Sequence, residues 1–180
     1  MKFYLQTERL ILRELQESDL EGMFELDSNP EVHKYLGNKP ITTRKQAKDN
    51  IAFIKEQYKK RGVGRFACIE KVSGDFIGWS GLKLNQGKKE SLNGFTNFID
   101  IGYRFIPRYW NKGYASESAF ACLDFGFNKL HYDIIYGAAD VANIGSNKVL
   151  QKIGLEFVNE FVHEGVDVNW YELKRTGYER

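Results

Sequence analysis

Where the segment YWNKGYASES (109–118) enters a long apolar-periodic run, it carries Lys112 and Gly113 at the mouth and the small Ala115 and Ser116 just inside. The first turn of any helix leaves backbone N–H groups without intrahelical partners, and the helix dipole favours an anion in front of them. Gly113 permits close backbone approach, Ala115 and Ser116 keep bulk out of the way, and Lys112 adds a point charge. Together these features make a seat for a phosphate-type anion. A tight strand-to-helix connection with no ligand fits the same residues, and the residues alone leave both readings open.

Other apparent motifs fail on context. GVGRFA (62–67) spells a dinucleotide-binding fingerprint, but that motif needs a strand before it and a helix after it. Here a helical pattern precedes and a strand pattern follows. GLKLNQGK (81–88) has five residues between its glycines where a P-loop has four, and Lys89 stands where a magnesium-binding Ser or Thr belongs. His33, His131 and His163 are isolated from Cys and carboxylates at ligand spacing, so they read as surface or satisfied histidines and no metal site is expected. No G-x-S-x-G signals a serine nucleophile. Trp79, Trp110 and Trp170 read first as core residues.

The 180 residues form most simply one domain spanning 1–180, long enough to bury a core. With 26 basic against 24 acidic side chains, the charge gives no reason to expect nucleic acid as a partner. The densest basic run, KKR (59–61), suits the end of a helix. Cys68 and Cys122 lie in apolar segments and read as buried free thiols of a reducing compartment. No signal-peptide layout opens the chain and no window reaches the ~18 apolar residues that span a bilayer, so a cytoplasmic protein without a membrane partner is expected. Oligomeric state is not readable from the chain.

The elements that must position the seat follow from periodicity. TERLILREL (7–15) alternates as a half-buried strand, and helices follow through Leu20–Leu26, through Val32–Leu36, and from Thr42 or Thr43 to a stop at Gly62. RFACIEKV (65–72) and FIGWSGLKL (76–84) form a hairpin about Ser73-Gly74-Asp75. A polar loop (86–94), expected to be mobile, leads to a strand (95–106) stopped by Pro107. A helix over 113–130, a strand over 132–141, a helix from Asn143 to Gly154 and a hairpin over 155–175 complete the chain. This order predicts an α+β fold with a mixed sheet.

IGYRFIPRYWNKGYASES and, about thirty residues on, ANIGSNKVLQKIGL (142–155) resemble the GCN5-related N-acetyltransferases (GNAT), especially the RimJ/RimL-type branch of ribosomal-protein alanine acetyltransferases. TERLILREL and SNPEVHKYLG (28–37) resemble that branch's opening segments, so the likeness runs in order through nearly the whole chain. The resemblance implies a single-domain, three-layer GNAT fold whose twisted mixed sheet splays between strands 95–106 and 132–141. It implies acetyl-coenzyme A as cosubstrate, with the pantetheine arm in the splay along Tyr103, Phe105 and Ile106. The pyrophosphate would take the seat of Trp110, Asn111, Lys112, Gly113, Tyr114, Ala115 and Ser116. Asn143, Ser146 and Lys152 match the remaining coenzyme-binding positions. Asn111 stands in place of the usual Gly, Asp100 of the usual Glu and Leu155 of the usual Phe. Leu150 occupies the position of a tyrosine that protonates the thiolate in many members.

Asp100, set in the apolar strand FIDIGY, is then the candidate base, and Ser146 the candidate donor to the departing thiolate; a purely structural role is the alternative for each. A backbone N–H between Tyr103 and Phe105 is the candidate oxyanion donor. Glu117 reads as structural at the helix start. The acceptor would contact 29–37, the helix 43–60, Trp79 and the hairpin near Glu164. A protein or peptide N-terminal amine leads, with a small-molecule amine (polyamine, aminoglycoside) or a non-catalytic acetyl-coenzyme A-binding module as alternatives.

Overall fold

The computed structural model describes residues 3–178. Eight strands form one open sheet in the order β1-β2-β3-β4-β5-β6-β8-β7: β1 (Tyr4–Gln6), β2 (Leu10–Arg13), β3 (Arg65–Glu70), β4 (Phe76–Asn85), β5 (Phe98–Phe105), β6 (Ile134–Asp140), β7 (Glu156–His163) and β8 (Val166–Lys174). Every neighbouring pair is antiparallel except β5 and β6, which are parallel. The mixed α+β fold expected from the sequence is the fold observed.

Strand alternation divides the helices between two faces. Ser80 and Tyr103 face one another across β4 and β5, and Ser80 lies against Cys122 of α4 (Tyr114–Asp124), 3.9 Å from its sulfur. Tyr103 reaches α5 (Ile144–Lys152). One register position on, Arg104 points to the opposite face and pairs with buried Asp27 of α1 (Leu20–Ser28) at 2.7 Å. That face also carries α2 (Pro30–His33) and α3 (Arg44–Arg61); α6 (Arg175–Tyr178) ends the described chain. Helix–sheet–helix layering is the result.

Local chemistry sets the helix limits. Thr43 caps α3 by accepting from the Gln46 amide while the Gln46 side chain accepts from the Thr43 amide at 3.0 Å, and Gly62 ends the helix at φ 70°. The α3-to-β3 order confirms that GVGRFA is no dinucleotide fingerprint.

Four expectations are corrected. The strand read over 7–15 is confined to β2, and β1 pairs ahead of it through a turn closed by the Thr7 amide on the Leu10 carbonyl (3.0 Å). The helix read to 130 stays α-helical only to Asp124. It then widens, with the Leu130 N–H bonding Phe125 O at 3.0 Å, where Gly126 is wedged against Leu82 and Ile135; a Cβ there would lie 2.6 Å from Leu82 Cδ1. The polar loop 86–94 is pinned. The Glu90 carboxylate takes Arg61 (2.8 Å), Lys83 (3.0 Å) and the Gln86 amide (2.8 Å). Last, His33 is neither at the surface nor satisfied: it is buried, with no hydrogen-bond partner for either ring nitrogen among the described residues. Burial, reinforced by Arg104, pushes its pKa down, so the uncharged ring is favoured.

Candidate active site

The connection from β5 to α4 builds the seat. Ile106 leaves the strand, and Pro107, which has no N–H to donate, starts a short turn that ends with the Trp110 amide on the Pro107 carbonyl at 3.0 Å. The Trp110 indole N–H donates to Phe105 O at 2.6 Å and fixes the turn to the strand's last residue. Asn111 has φ 59° and Gly113 φ 83°. Asparagine is one of the few side chains that accept the left-handed region, so it can hold this turn without glycine.

Gly113 is the helix N-cap and offers no side chain to cap with; the first helical bond runs from the Glu117 N–H to Gly113 O at 3.0 Å. Among the described residues, no group is bonded to the amides of Tyr114, Ala115 and Ser116, which precede that bond. Lys112 is exposed at the rim with its ammonium over the Tyr109 ring. Tyr114 turns its side chain inward and donates its hydroxyl to Glu70.

Arg9 is a seat residue that sequence reasoning missed. Its guanidinium comes within 3.3 Å of a Cβ position at Gly113, donates to Lys112 O at 2.9 Å and lies over the Tyr114 ring at 4.4 Å. Glu117 fixes it there: Glu117 Oε2 accepts from Arg9 Nε at 2.7 Å, and Oε1 accepts from the Arg9 amide and the Thr7 hydroxyl. Burial alone would raise the Glu117 carboxyl, but Thr7 and Arg9 outweigh it and hold it below the usual carboxylate range. The structural role read for Glu117 is this tether. In the sequence Arg9 looks like any outward charge of an edge strand.

Behind the seat the sheet forks. β5 and β6 meet at a single register position, Asp100 opposite Tyr136. Beyond it, Ile101 through Phe105 have no strand partner on the β6 side, whereas β4 pairs with β5 along its whole length. An extended ligand laid against that bare edge would complete a ladder, as a pantetheine arm does. The residues present therefore fit acetyl-coenzyme A: free amides and Arg9 for the pyrophosphate, an unpaired strand edge for the arm.

Helix α5 flanks the fork. Asn143 Oδ1 caps the helix by accepting from the Ser146 amide at 3.1 Å, and its Nδ2 has no partner among the described residues. Tyr103 donates its hydroxyl to Ser146 O at 2.9 Å, and the Ser146 hydroxyl lies 3.2 Å from the same phenol oxygen. Burial pushes the Tyr103 phenol far above its ordinary value, the Ser146 contact only partly offsetting it, so the group stays protonated. Lys152 lies in the last turn of α5, exposed, roughly 13 Å along the axis from Asn143 at ~1.5 Å per residue. There it complements the helix dipole.

Asp100 sits at the fork's closed end on the opposite face from Tyr103 and Ser146. Its Oδ2 takes Arg65 Nη2 at 2.9 Å and its Oδ1 takes Asn85 Nδ2 at 3.0 Å. Gly102 makes room for Arg65, since a Cβ there would lie 2.8 Å from Nη2. Asp100 also lines a cavity of about 250 Å³ with Lys83, Asn85, Lys89, Phe98 and His163 among its walls. His163 of the terminal hairpin and residues of the pinned loop also line this cavity. No group of three or more His, Cys, Asp or Glu among the described residues could hold a metal, and no described helix is long and apolar enough to cross a membrane.

Comparison with known proteins places this geometry. Residues 9–156 match the acetyltransferase (GNAT) domain family. The uncharacterized protein YkkB of Bacillus subtilis is 31% identical over 174 residues, covering 96% of each chain. The spermidine N(1)-acetyltransferase of Escherichia coli K12 is 24% identical over 154 residues, covering 85% of this chain and 76% of that one. The crystal structure of a GNAT-family acetyltransferase from Bacillus anthracis superposes with a TM-score of 0.78 at 26% identity, covering 97% and 99%. The matches favour no single branch, so the resemblance to the RimJ/RimL type narrows to the superfamily. With its free amides, its forked sheet and a family match over most of its length, this chain belongs to the GNAT family of acetyl-coenzyme A-dependent acetyltransferases.

Proposed function

We propose that the protein transfers an acetyl group from acetyl-coenzyme A to the primary amine of a small molecule by direct attack. The observation that carries this reading is the small cavity at the fork's closed end, with Asp100 on its wall. At about 250 Å³ it lies near the lower end of ligand pockets, ~300–1,000 Å³. A curated relative named for a small amine, spermidine, supports the same class. The acceptor that led in the sequence analysis, a protein or peptide N-terminal amine, has less support than this one.

Bound acetyl-coenzyme A supplies an activated acyl group with a thiolate leaving group. The chain's own residues do the rest. The amides of Tyr114, Ala115 and Ser116, with Arg9 and Lys112, hold the diphosphate end, and the bare edge from Ile101 to Phe105 aligns the arm. The free Nδ2 of Asn143 donates to an amide carbonyl of the arm. Asp100, held in one orientation by Arg65 and Asn85, accepts the acceptor's proton directly or through one water. A backbone N–H between Tyr103 and Phe105 donates to the developing oxyanion. Ser146 relays to the thiolate a proton that its hydroxyl takes up from a solvent water, and Tyr103 holds it in place. Positioning supplies much of the rate, up to ~7–11 kcal/mol for well-oriented partners.

The test is thiol release from acetyl-coenzyme A against a panel of polyamines, amino acids, aminoglycosides and peptides with free N-termini. Acetylation of small amines at higher kcat/KM than of the peptides is the expected result. A clear preference for peptide N-termini overturns it, and saturable acetyl-coenzyme A binding without turnover on any amine would leave only a binding module.

A further inference from the structure

The charges around the acceptor cavity are not those of a site for a polycation. Its wall contains two carboxylates, Glu90 and Asp100, and both are already neutralised by the protein. Glu90 is paired with Arg61 at 2.8 Å and Lys83 at 3.0 Å, and Asp100 with Arg65 at 2.9 Å. Burial would raise the Glu90 carboxyl, yet the Gln86 amide, Lys83 and Arg61 together hold it below the usual range, so it stays ionised and committed to them. Lys89, also on the wall and exposed, has no ion-pair or hydrogen-bond partner among the described residues. Four cations, Arg61, Arg65, Lys83 and Lys89, thus surround two carboxylates.

The cavity also holds two chemically different groups. Asp100 lies at the fork, where the amine must present its nitrogen, whereas Lys89 belongs to the short turn of the polar loop. Phe98 and Leu92 line the same cavity and suit a short carbon chain. An acceptor with a second ammonium would place that charge against an uncompensated lysine, a like-charge juxtaposition that discriminates against it. An acceptor with a carboxylate there would find the one unpaired cation of the wall.

Resting on the proposed transfer to a small amine, we infer that the acceptor is an amine bearing an anionic group a few carbons from its nitrogen, with Lys89 as the specificity-determining residue. The relative that acts on spermidine and this chain then share a reaction and differ in the charge they select.

Three four-carbon amines that differ only at the far end test this: 4-aminobutyrate, 4-amino-1-butanol and 1,4-diaminobutane. The expected order of kcat/KM is carboxylate, alcohol, diamine, with about tenfold between first and last, and Lys89→Glu reverses it. Lys89→Gln, which removes the charge without inverting it, brings the three within about twofold while acetyl-coenzyme A KM stays unchanged. Preference for the diamine in the native protein, or a ranking that Lys89→Glu leaves unmoved, overturns the charge inference while the small-amine reading stands. Absence of transfer to all three and to the wider small-amine panel, with peptide N-termini acetylated, overturns both.

Discussion

Glu117 and Arg9, 108 positions apart, are joined by a charge-assisted bond of 2.7 Å that brings a guanidinium from the sheet's first hairpin to the mouth of α4. The seat is therefore built by two segments. The helix start supplies fixed backbone donors, and the N-terminal hairpin supplies a tethered charge. Arg9→Ala should raise the acetyl-coenzyme A KM about tenfold with kcat changed less than twofold, the size expected for one charge-assisted contact of ~1.5 kcal/mol. Glu117→Ala should do the same and also lower the unfolding free energy by about 1–3 kcal/mol, because the Thr7 hydroxyl and the Arg9 amide lose their acceptor. Steady-state kinetics and urea denaturation of the two variants measure this; an unchanged KM in both would remove Arg9 from the seat.

Asp100→Asn should lower kcat/KM by about a hundredfold, at the low end for general acid–base catalysis. The amide keeps the contact with Arg65 without accepting a proton. A wild-type rate in this variant would leave Asp100 a structural partner of Arg65 and Asn85.

On the other face, Ser146→Ala should lower kcat about tenfold at saturating substrates, with Tyr103→Phe showing a smaller loss in the same direction. An acetyl thioester with a more acidic thiol should abolish both losses, since its leaving group needs no donor. Losses that persist with that donor would assign both residues to binding alone.

Much of this architecture is legible in local chemistry. Thr43 with Gln46, Gly62, Pro107 and Asn143 mark element ends by short-range hydrogen bonding or by missing donors, and each stands where the spacing puts it. What stays hidden is whatever depends on distant parts of the chain. The contacts of Arg9 with Glu117, of Arg65 with Asp100 and of Glu90 with Arg61 and Lys83 are made between elements whose adjacency only the folded sheet creates. The widened turn after Asp124 is hidden for the same reason: its cause is the crowding of Gly126 by Leu82 and Ile135. His33 gives no sign of burial because one histidine in a four-residue helix has no periodicity to read.

Acid sensitivity should begin with His33. Its folded-state pKa lies below the ordinary ~6.5, so the stability tied to its neutral form is complete above that value and drains away as pH falls beneath it. Glu90 and Glu117, also depressed, keep their contributions until pH drops through the usual carboxylate value near ~4.3. Melting temperature should therefore decline in two stages between pH 7 and 3. His33→Gln should erase the first stage only, as read by circular dichroism; a single stage below pH 5 in the native protein would exclude the histidine.

Neither thiol should react while the protein is folded. Cys68 and Cys122 are both fully buried, and burial raises the Cys122 thiol to about 12 and Cys68 well above its usual value. Titration with an aromatic disulfide should find no accessible sulfur in buffer and two in denaturant.

The lone rung between Asp100 and Tyr136 divides the eight strands into two panels, β1 to β5 and β6 to β8, hinged at one point. What keeps them together beyond that hinge is not sheet hydrogen bonding but the stacking of α4 on the first panel, α5 on the second, and the two helices on each other. On the proposed function an extended cosubstrate arm laid along that bare edge would join the two panels as a shared strand, and its binding is then expected to stiffen the seam between them.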